Sequence, residues 1–166
     1  MSTVHGNAPL SKCTINALSV LEAIGKPAIP VFPGASKPFC RTVHTAPDIH
    51  GASGLAGTDL LPQPSRSALI HCNAVLEMKE ALVAQPKGTA WLVATGPLTN
   101  VALLFAIFPS VAEHLAGLSI MGGAIGSDFT HVSVSPHCAT LSPMAEVPHI
   151  LHRMRTVKLG CLQKRC

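Results

Sequence analysis

Apolar residues recur at helical spacing in four stretches of this chain. Between Ser11 and Gly25, apolar side chains lie three residues apart, which predicts a helix over 11–24 with a serine cap and a glycine stop. The apolar positions of this helix are Ile15, Leu18, Leu21 and Ile24. Similar spacing predicts three more helices, at 67–84, 101–108 and 111–115.

Short apolar runs between these helices predict strands at 28–32, 91–94 and 118–121. We expect the run over 91–94 to be a buried strand. Strands that alternate with helices are typical of βαβ units and a parallel sheet. The predicted fold class is therefore α/β, with a Rossmann-like, open, mostly parallel sheet flanked by helices.

The stretch Trp91-Leu-Val-Ala-Thr-Gly-Pro-Leu-Thr-Asn-Val-Ala-Leu-Leu104 joins a predicted strand to a helix through a Thr-Gly-Pro turn. Strand carbonyls and helix N–H groups converge at such junctions, where open α/β sheets bind ligands. Thr99 or Asn100 is expected to cap the helix. The pattern predicts a ligand site here.

Two long segments lack a sustained period. Residues 33–64 are rich in Gly and Pro and are either a functional loop or a linker. Residues 127–166 form a divergent basic tail, because residues 149–166 carry five Lys/Arg and no acid. The run Val157-Lys-Leu-Gly-Cys-Leu162 is compatible with a short strand, although a loose tail is favoured. The predicted domains are thus 1–126 and 127–166.

Composition narrows the class of protein. Of the 166 residues, 48% are hydrophobic, which argues against disorder and allows a substantial core. No apolar run approaches the roughly 18 residues of a membrane span, and the N-terminus does not resemble a signal peptide, so we expect a cytoplasmic protein. The six cysteines lack zinc-ligand spacing and are interpreted as free thiols. Residues 1–148 carry seven Lys/Arg against eight Asp/Glu, which argues against nucleic-acid binding.

Four blocks of sequence resemble the inosine/uridine-preferring nucleoside hydrolases, a family of metal-dependent N-ribosyl hydrolases. The blocks are Thr3-Val-His-Gly-Asn-Ala8 with Thr14-Ile-Asn-Ala-Leu18, Ile29-Pro-Val-Phe-Pro-Gly-Ala35, Asp48-Ile-His-Gly-Ala-Ser-Gly-Leu-Ala-Gly57, and Ala94-Thr-Gly-Pro-Leu-Thr-Asn-Val-Ala102 with Ile120-Met-Gly-Gly-Ala124. The resemblance covers about 3–126, with an echo at Ser142-Pro-Met-Ala-Glu146. It implies a nucleoside hydrolase-like fold and cleavage of purine and pyrimidine ribonucleosides to ribose and free base.

The resemblance also assigns roles to five residues. Asn7 is a substrate-binding amide on the ribose side, and the backbone carbonyl of Thr95 is a calcium ligand. His50 is the catalytic candidate, since an imidazole can move a proton or bind the nucleobase. Met121 lines the ribose pocket, and Glu146 contacts the ribose 5′-hydroxyl. The residues alone allow blander interpretations: Asn7 in a turn, Thr95 in a plain loop, His50 on the surface and Met121 in the core.

The chain departs from the family pattern at both ends. The Asp-rich turn that supplies the family's calcium ligands and its catalytic base would precede Met1, and the late His-Asp pair has no counterpart. We therefore expect a truncated domain that is itself inactive, and we hypothesise that the tail is out of frame or disordered. The alternative function is a non-catalytic remnant that binds nucleoside or a full-length paralogue. The resemblance also implies Ca²⁺ and a homo-oligomer.

Overall fold

A computed structural model describes residues 1–40, 42–56, 58, 60–125 and 157–163; for 122–125 and 157–163 it describes the backbone. The chain divides into two compact units, Met1–Met78 and Lys79–Cys166, which are described here one at a time. Residues 126–156 lie outside the described part, so the domain boundary at 126 stays a prediction.

The first unit is built around a short parallel pair of strands. Strand β1 (Ser2–Thr3) leads into helix α1 (Leu10–Ala23), and the chain returns through strand β2 (Phe32–Pro33). Ser2 lies opposite Phe32 and Thr3 opposite Pro33. The four-residue helix α2 (Pro47–His50) follows, and helix α3 (Ala74–Val83) begins at the end of the unit. This is a parallel βαβ arrangement, as the sequence predicts.

Helix α1 confirms the helix predicted over 11–24, but its cap and its buried face differ from the prediction. Pro9 precedes the helix, and no side chain caps it. The apolar residues Ile15 and Ile24 are 54% and 61% exposed, whereas Thr14 and Ser19 are buried. The Thr14 hydroxyl is satisfied by the Leu10 carbonyl at 2.8 Å, so a polar residue occupies the inner face without cost.

Two boundaries predicted in the first unit are wrong. The helix predicted over 67–84 begins only at Ala74, because the Asn73 side chain accepts hydrogen bonds from the amides of Val75 at 3.0 Å and Leu76 at 3.3 Å. Asn73 therefore caps α3. The strand predicted over 28–32 lies instead at Phe32–Pro33.

The second unit contains a three-stranded parallel sheet. Strand β3 (Trp91–Ala94) is followed by helices α4 (Thr99–Ile107) and α5 (Ser110–His114) and by strand β4 (Gly117–Ile125). Strand β5 (Val157–Gln163) pairs with β4, so the order is β3-β4-β5. Among the described residues of this unit, eight apolar side chains are at most 2% exposed and form a core: Leu98, Leu104, Phe105, Val111, Ala112, Leu115, Leu118 and Ile120.

Every described strand pair is parallel, which confirms the predicted α/β class. Strand β5 confirms the strand interpretation of its segment, and the favoured loose tail is wrong for these residues. The prediction that 91–94 is buried is also wrong: Val93 is 63% exposed and Trp91 42%. Trp91 and Val93 are two residues apart in β3, so their side chains share one face of the sheet, and this face is exposed.

The remaining local predictions have mixed outcomes. The prediction that Thr99 or Asn100 caps α4 is wrong, because both residues are buried in its first turn and no side chain caps the helix at Leu98. Cys13 and Cys72 are free thiols, as predicted. The longest described helix has 14 residues, and none of the described helices combines the length and apolarity of a membrane span.

Candidate functional site

Two residues that the sequence singled out lie in contact in the first unit. The side-chain nitrogen Nδ2 of Asn7 is 2.9 Å from Nε2 of His50, although the residues are 43 positions apart. An amide nitrogen only donates, so Nε2 accepts this hydrogen bond. With the Asn7 amide oriented so that Nδ2 faces the ring, the imidazole proton lies on Nδ1. Asn7 is exposed and His50 is half-buried, so both side chains are accessible.

Backbone hydrogen bonds explain why the two residues meet. Asn7 lies between β1 and α1, and its carbonyl accepts from the Ala46 amide at 2.9 Å. Ala46 directly precedes α2, and its own carbonyl accepts from the His50 amide at 2.9 Å. Ala46 thus ties the last residue of α2 to the connection between β1 and α1. The catalytic and the surface-residue interpretations of His50 both stay predictions.

The loop after His50 folds back onto α1. The Lys12 ammonium donates to the Ala52 carbonyl, and the Asn16 amide donates to the Ser53 carbonyl at 3.1 Å. A Cβ atom at Gly54 would be 2.5 Å from the Cβ atom of Ala8, which precedes α1, and 3.6 Å from Nδ2 of Asn16 in α1. Within the 33–64 segment, which the sequence left open as a functional loop or a linker, residues 51–56 thus form a loop packed on α1.

His5 is a further titratable residue of the first unit that sequence reasoning did not propose. Its side chain is 2% exposed, and its amide donates to the Ala35 carbonyl at 2.9 Å. Burial lowers the pKa of the His5 imidazole. The Val-His-Gly sequence at the end of a strand was the available signal, but a single histidine there does not distinguish a buried structural role from a chemical one.

The other candidates belong to the second unit. Thr95 directly follows β3 and is exposed. Met121 lies in β4 and is 40% exposed, whereas its neighbour Ile120 is 1% exposed. The core interpretation of Met121 is therefore wrong, and its place in a ribose pocket stays a prediction. Glu146 lies outside the described residues.

Comparison with known proteins identifies the family. The sequence model of the inosine-uridine preferring nucleoside hydrolases matches residues 1–147. The chain belongs to this family. The match extends past residue 126 and includes the echo at 142–146 that the sequence suggested. Family membership, and the α/β fold that it implies, are thus confirmed.

Curated relatives of this nucleoside hydrolase family member carry the names of ribonucleoside-cleaving enzymes. The uridine nucleosidase of Saccharomyces cerevisiae is 44% identical over 126 residues, which are 75% of this chain and 37% of the relative. A pyrimidine-specific ribonucleoside hydrolase of Klebsiella pneumoniae is 37% identical over 153 residues, which are 88% of this chain and 48% of the relative. The chain thus spans less than half the length of these two relatives.

Solved structures show the same fold. A purine-preferring ribonucleoside hydrolase from Gardnerella vaginalis superimposes with a TM-score of 0.66 at 25% identity, over 74% of this chain and 39% of that one. A plant nucleoside hydrolase superimposes with a TM-score of 0.63 at 31% identity, over 74% and 38% of the two chains. The matched part of this chain therefore corresponds to part of a nucleoside hydrolase domain.

The described residues do not fit the calcium ion that the resemblance implies. Among them, no three His, Cys, Asp or Glu side chains come together as a metal site. Calcium takes about 6–8 oxygen ligands, usually several of them carboxylates, and the Thr95 carbonyl is one neutral ligand. We therefore derive no chemical step through a metal from these residues.

Proposed function

We propose that the protein to which residues 1–166 belong hydrolyses the N-glycosidic bond of purine or pyrimidine ribonucleosides to ribose and a free base. The observation that carries this proposal is the hydrogen bond between Asn7 and His50, because it joins two separate family motifs at 2.9 Å. The ribonucleoside-cleaving activities named for the relatives support the same reaction class.

The geometry of the pair suits this chemistry. Cleavage of a ribosyl C–N bond passes through an oxocarbenium-like state, so the protein must hold the ribose hydroxyls and help the base to leave. Because Asn7 donates through Nδ2, its Oδ1 atom is oriented as an acceptor for a ribose hydroxyl. Because His50 accepts through Nε2, its Nδ1–H group is the donor that can bind a nucleobase or carry a proton.

The remaining parts of the proposal rest on family membership. Met121 lines the ribose side of the pocket, Glu146 binds the 5′-hydroxyl, and the Thr95 carbonyl is one ligand of a Ca²⁺ ion whose carboxylate ligands lie outside the described residues. We further propose a cytoplasmic protein that forms homo-oligomers, acts on a small nucleoside, and has neither a nucleic-acid partner nor a membrane partner.

Titration calorimetry of residues 1–166 with inosine and with uridine tests the role of the pair. Each titration is run with and without Ca²⁺, and released ribose is assayed in the same sample. Asn7→Ala and His50→Ala are each expected to weaken nucleoside binding about tenfold, since one hydrogen bond of about 1.4 kcal/mol corresponds to that factor. His71→Ala is the matched control, because His71 is an exposed histidine of the same unit.

The outcomes separate the two candidate functions. Ribose release supports the hydrolase directly. Binding that needs no metal and gives no ribose, but is lost in the Asn7 and His50 variants, supports the pair as a nucleoside site and favours the non-catalytic module. Binding that is equally strong in all variants would contradict the proposed site.

A further inference from the structure

Lys12 and Asn16 connect α1 to the loop that follows His50. They are four residues apart on the helix, so their side chains lie on the same face. Their nitrogen atoms reach the carbonyls of two consecutive residues, Ala52 and Ser53. The two contacts therefore fix the orientation of adjacent peptide planes in the loop.

Neither residue is in contact with Asn7 or His50 through a described hydrogen bond, so any effect on that pair is indirect. The path is short: the His50 carbonyl accepts from the Ala56 amide at 2.8 Å, which closes the loop that contains Ala52 and Ser53. At the other end of the same segment, the Ala46 amide is bound to the Asn7 carbonyl at 2.9 Å. The segment from 46 to 56 is thus anchored before and after His50.

We propose that Lys12 and Asn16 are positioning residues that hold the 51–56 loop on α1 and thereby keep the His50 imidazole in the Nδ1–H tautomer facing Asn7. This inference rests on the proposed function only for the chemical role of His50. This tautomer is the one in which Nε2 accepts from Asn7 Nδ2 across the 2.9 Å contact. When the loop is released, Nε2 loses its donor, and a neutral imidazole in water prefers its proton on Nε2.

The tautomer of His50 is measurable without a substrate. In ¹⁵N-histidine-labelled protein, a fixed Nδ1–H tautomer gives two well-separated ring nitrogen signals, with the acceptor signal on Nε2. In Lys12→Met and in Asn16→Asp, we expect these assignments to exchange toward the Nε2–H form and the two signals to move together. Hydrogen exchange of the Ala46 and Ala56 amides is expected to accelerate at least tenfold in the same variants.

Two controls separate positioning from general stability. Lys12→Arg retains a donor and is expected to preserve the wild-type ring signals. Lys26→Met removes an exposed lysine beyond the end of α1 and is expected to leave both the signals and the exchange rates unchanged. A folded Lys12→Met or Asn16→Asp protein with wild-type His50 signals would overturn the proposal, and either variant alone suffices for this test.

The result is distinct from the test of the proposed function. If the tautomer changes in the variants but the wild-type chain binds no nucleoside, the positioning role stands and the assigned use of His50 fails. If the wild-type chain binds nucleoside through Asn7 and His50 while the tautomer is unaffected by the variants, the positioning role fails and the proposed function stands.

Discussion

A pair of buried hydroxyl groups stabilises the contact between β1 and α1. The Thr14 hydroxyl donates to the Leu10 carbonyl at 2.8 Å, so its single proton is used there. The Thr3 hydroxyl, 2.9 Å away, therefore donates to Thr14. Because the side chains are 8% and 6% exposed, water does not readily replace these bonds.

Thr14→Val tests the value of this pair, because valine keeps the shape of threonine and removes the hydroxyl. The variant loses two hydrogen bonds, and we expect the free energy of unfolding to fall by about 1–3 kcal/mol. Urea denaturation followed by circular dichroism measures the change. Thr14→Ser keeps the hydroxyl and should lose only about 0.8 kcal/mol for the missing methyl group. A valine variant more stable than the serine variant would contradict this account.

The buried His5 predicts a pH dependence of stability. Burial lowers the pKa of its imidazole below the unfolded value of 6.5, so the unfolded chain binds the proton more tightly. The contribution of His5 to stability is complete above pH 6.5 and is lost as the pH falls from there through the lower folded pKa. Glu22 acts in a separate window: Ser65 lowers its pKa, so its contribution is lost only below the unfolded value of 4.5.

Denaturation of the wild type and of His5→Gln is measured between pH 7.5 and pH 5, because this range spans the unfolded pKa of about 6.5. The difference between the two proteins isolates the contribution of His5 to stability. The wild type is expected to lose stability across this range with a steeper slope than the variant. Equal slopes would show that other groups cause the dependence.

At the scale of elements, periodicity and stop signals located the helices well. Helices α1, α4 and α5 lie within two residues of their predicted bounds, because apolar spacing and Gly or Pro residues are local signals. The start of α3 was missed because apolar residues continue upstream of Asn73, and only the capping contact shows where the helix begins. Burial was predicted less well than position, since the face of α1 that packs inward depends on its partners.

The packed loop makes a prediction at this scale. Gly54 and Gly25 both have positive φ angles, of +77° and +68°, which disfavour any residue with a Cβ atom. Only Gly54 lies against another side chain, because a Cβ atom there would be 2.5 Å from Ala8 Cβ, whereas nothing lies within 4 Å at Gly25. Gly25→Ala therefore isolates the cost of the backbone, about 1–2 kcal/mol.

Gly54→Ala adds the cost of overpacking to this backbone cost, and we expect a further loss of about 1–3 kcal/mol. The thermal midpoints of the two variants give the comparison, and hydrogen exchange of residues 51–56 shows whether the loop separates from α1. Equal midpoints, with an unchanged exchange rate in the loop, would mean that the loop does not pack on α1 in solution.

For the whole molecule, the sequence predicted the class and the family but only part of the site. The family motifs named Asn7 and His50 separately, and their spacing of 43 residues gives no distance between them. Lys12 and Asn16 escaped notice because they contact main-chain carbonyls, which leave no pattern in the sequence. Contacts of this kind depend on the path of the backbone. They can therefore be predicted only once the fold is known.

The electrostatics of the chain make the last prediction. Calcium must be held by several negatively charged oxygen ligands, and residues 1–166 contain only eight Asp and Glu. No Asp or Glu in the described part of the chain belongs to a group of three His, Cys, Asp or Glu side chains that could hold a metal ion. We therefore expect the polypeptide of residues 1–166 to take up no stoichiometric Ca²⁺ in a calorimetric titration and to release no ribose from inosine or uridine. Stoichiometric uptake together with steady ribose release would refute this expectation, and would mean that carboxylates outside the described residues complete the site. Uptake without ribose release would instead show that the chain binds the metal ion but lacks the base that activates water.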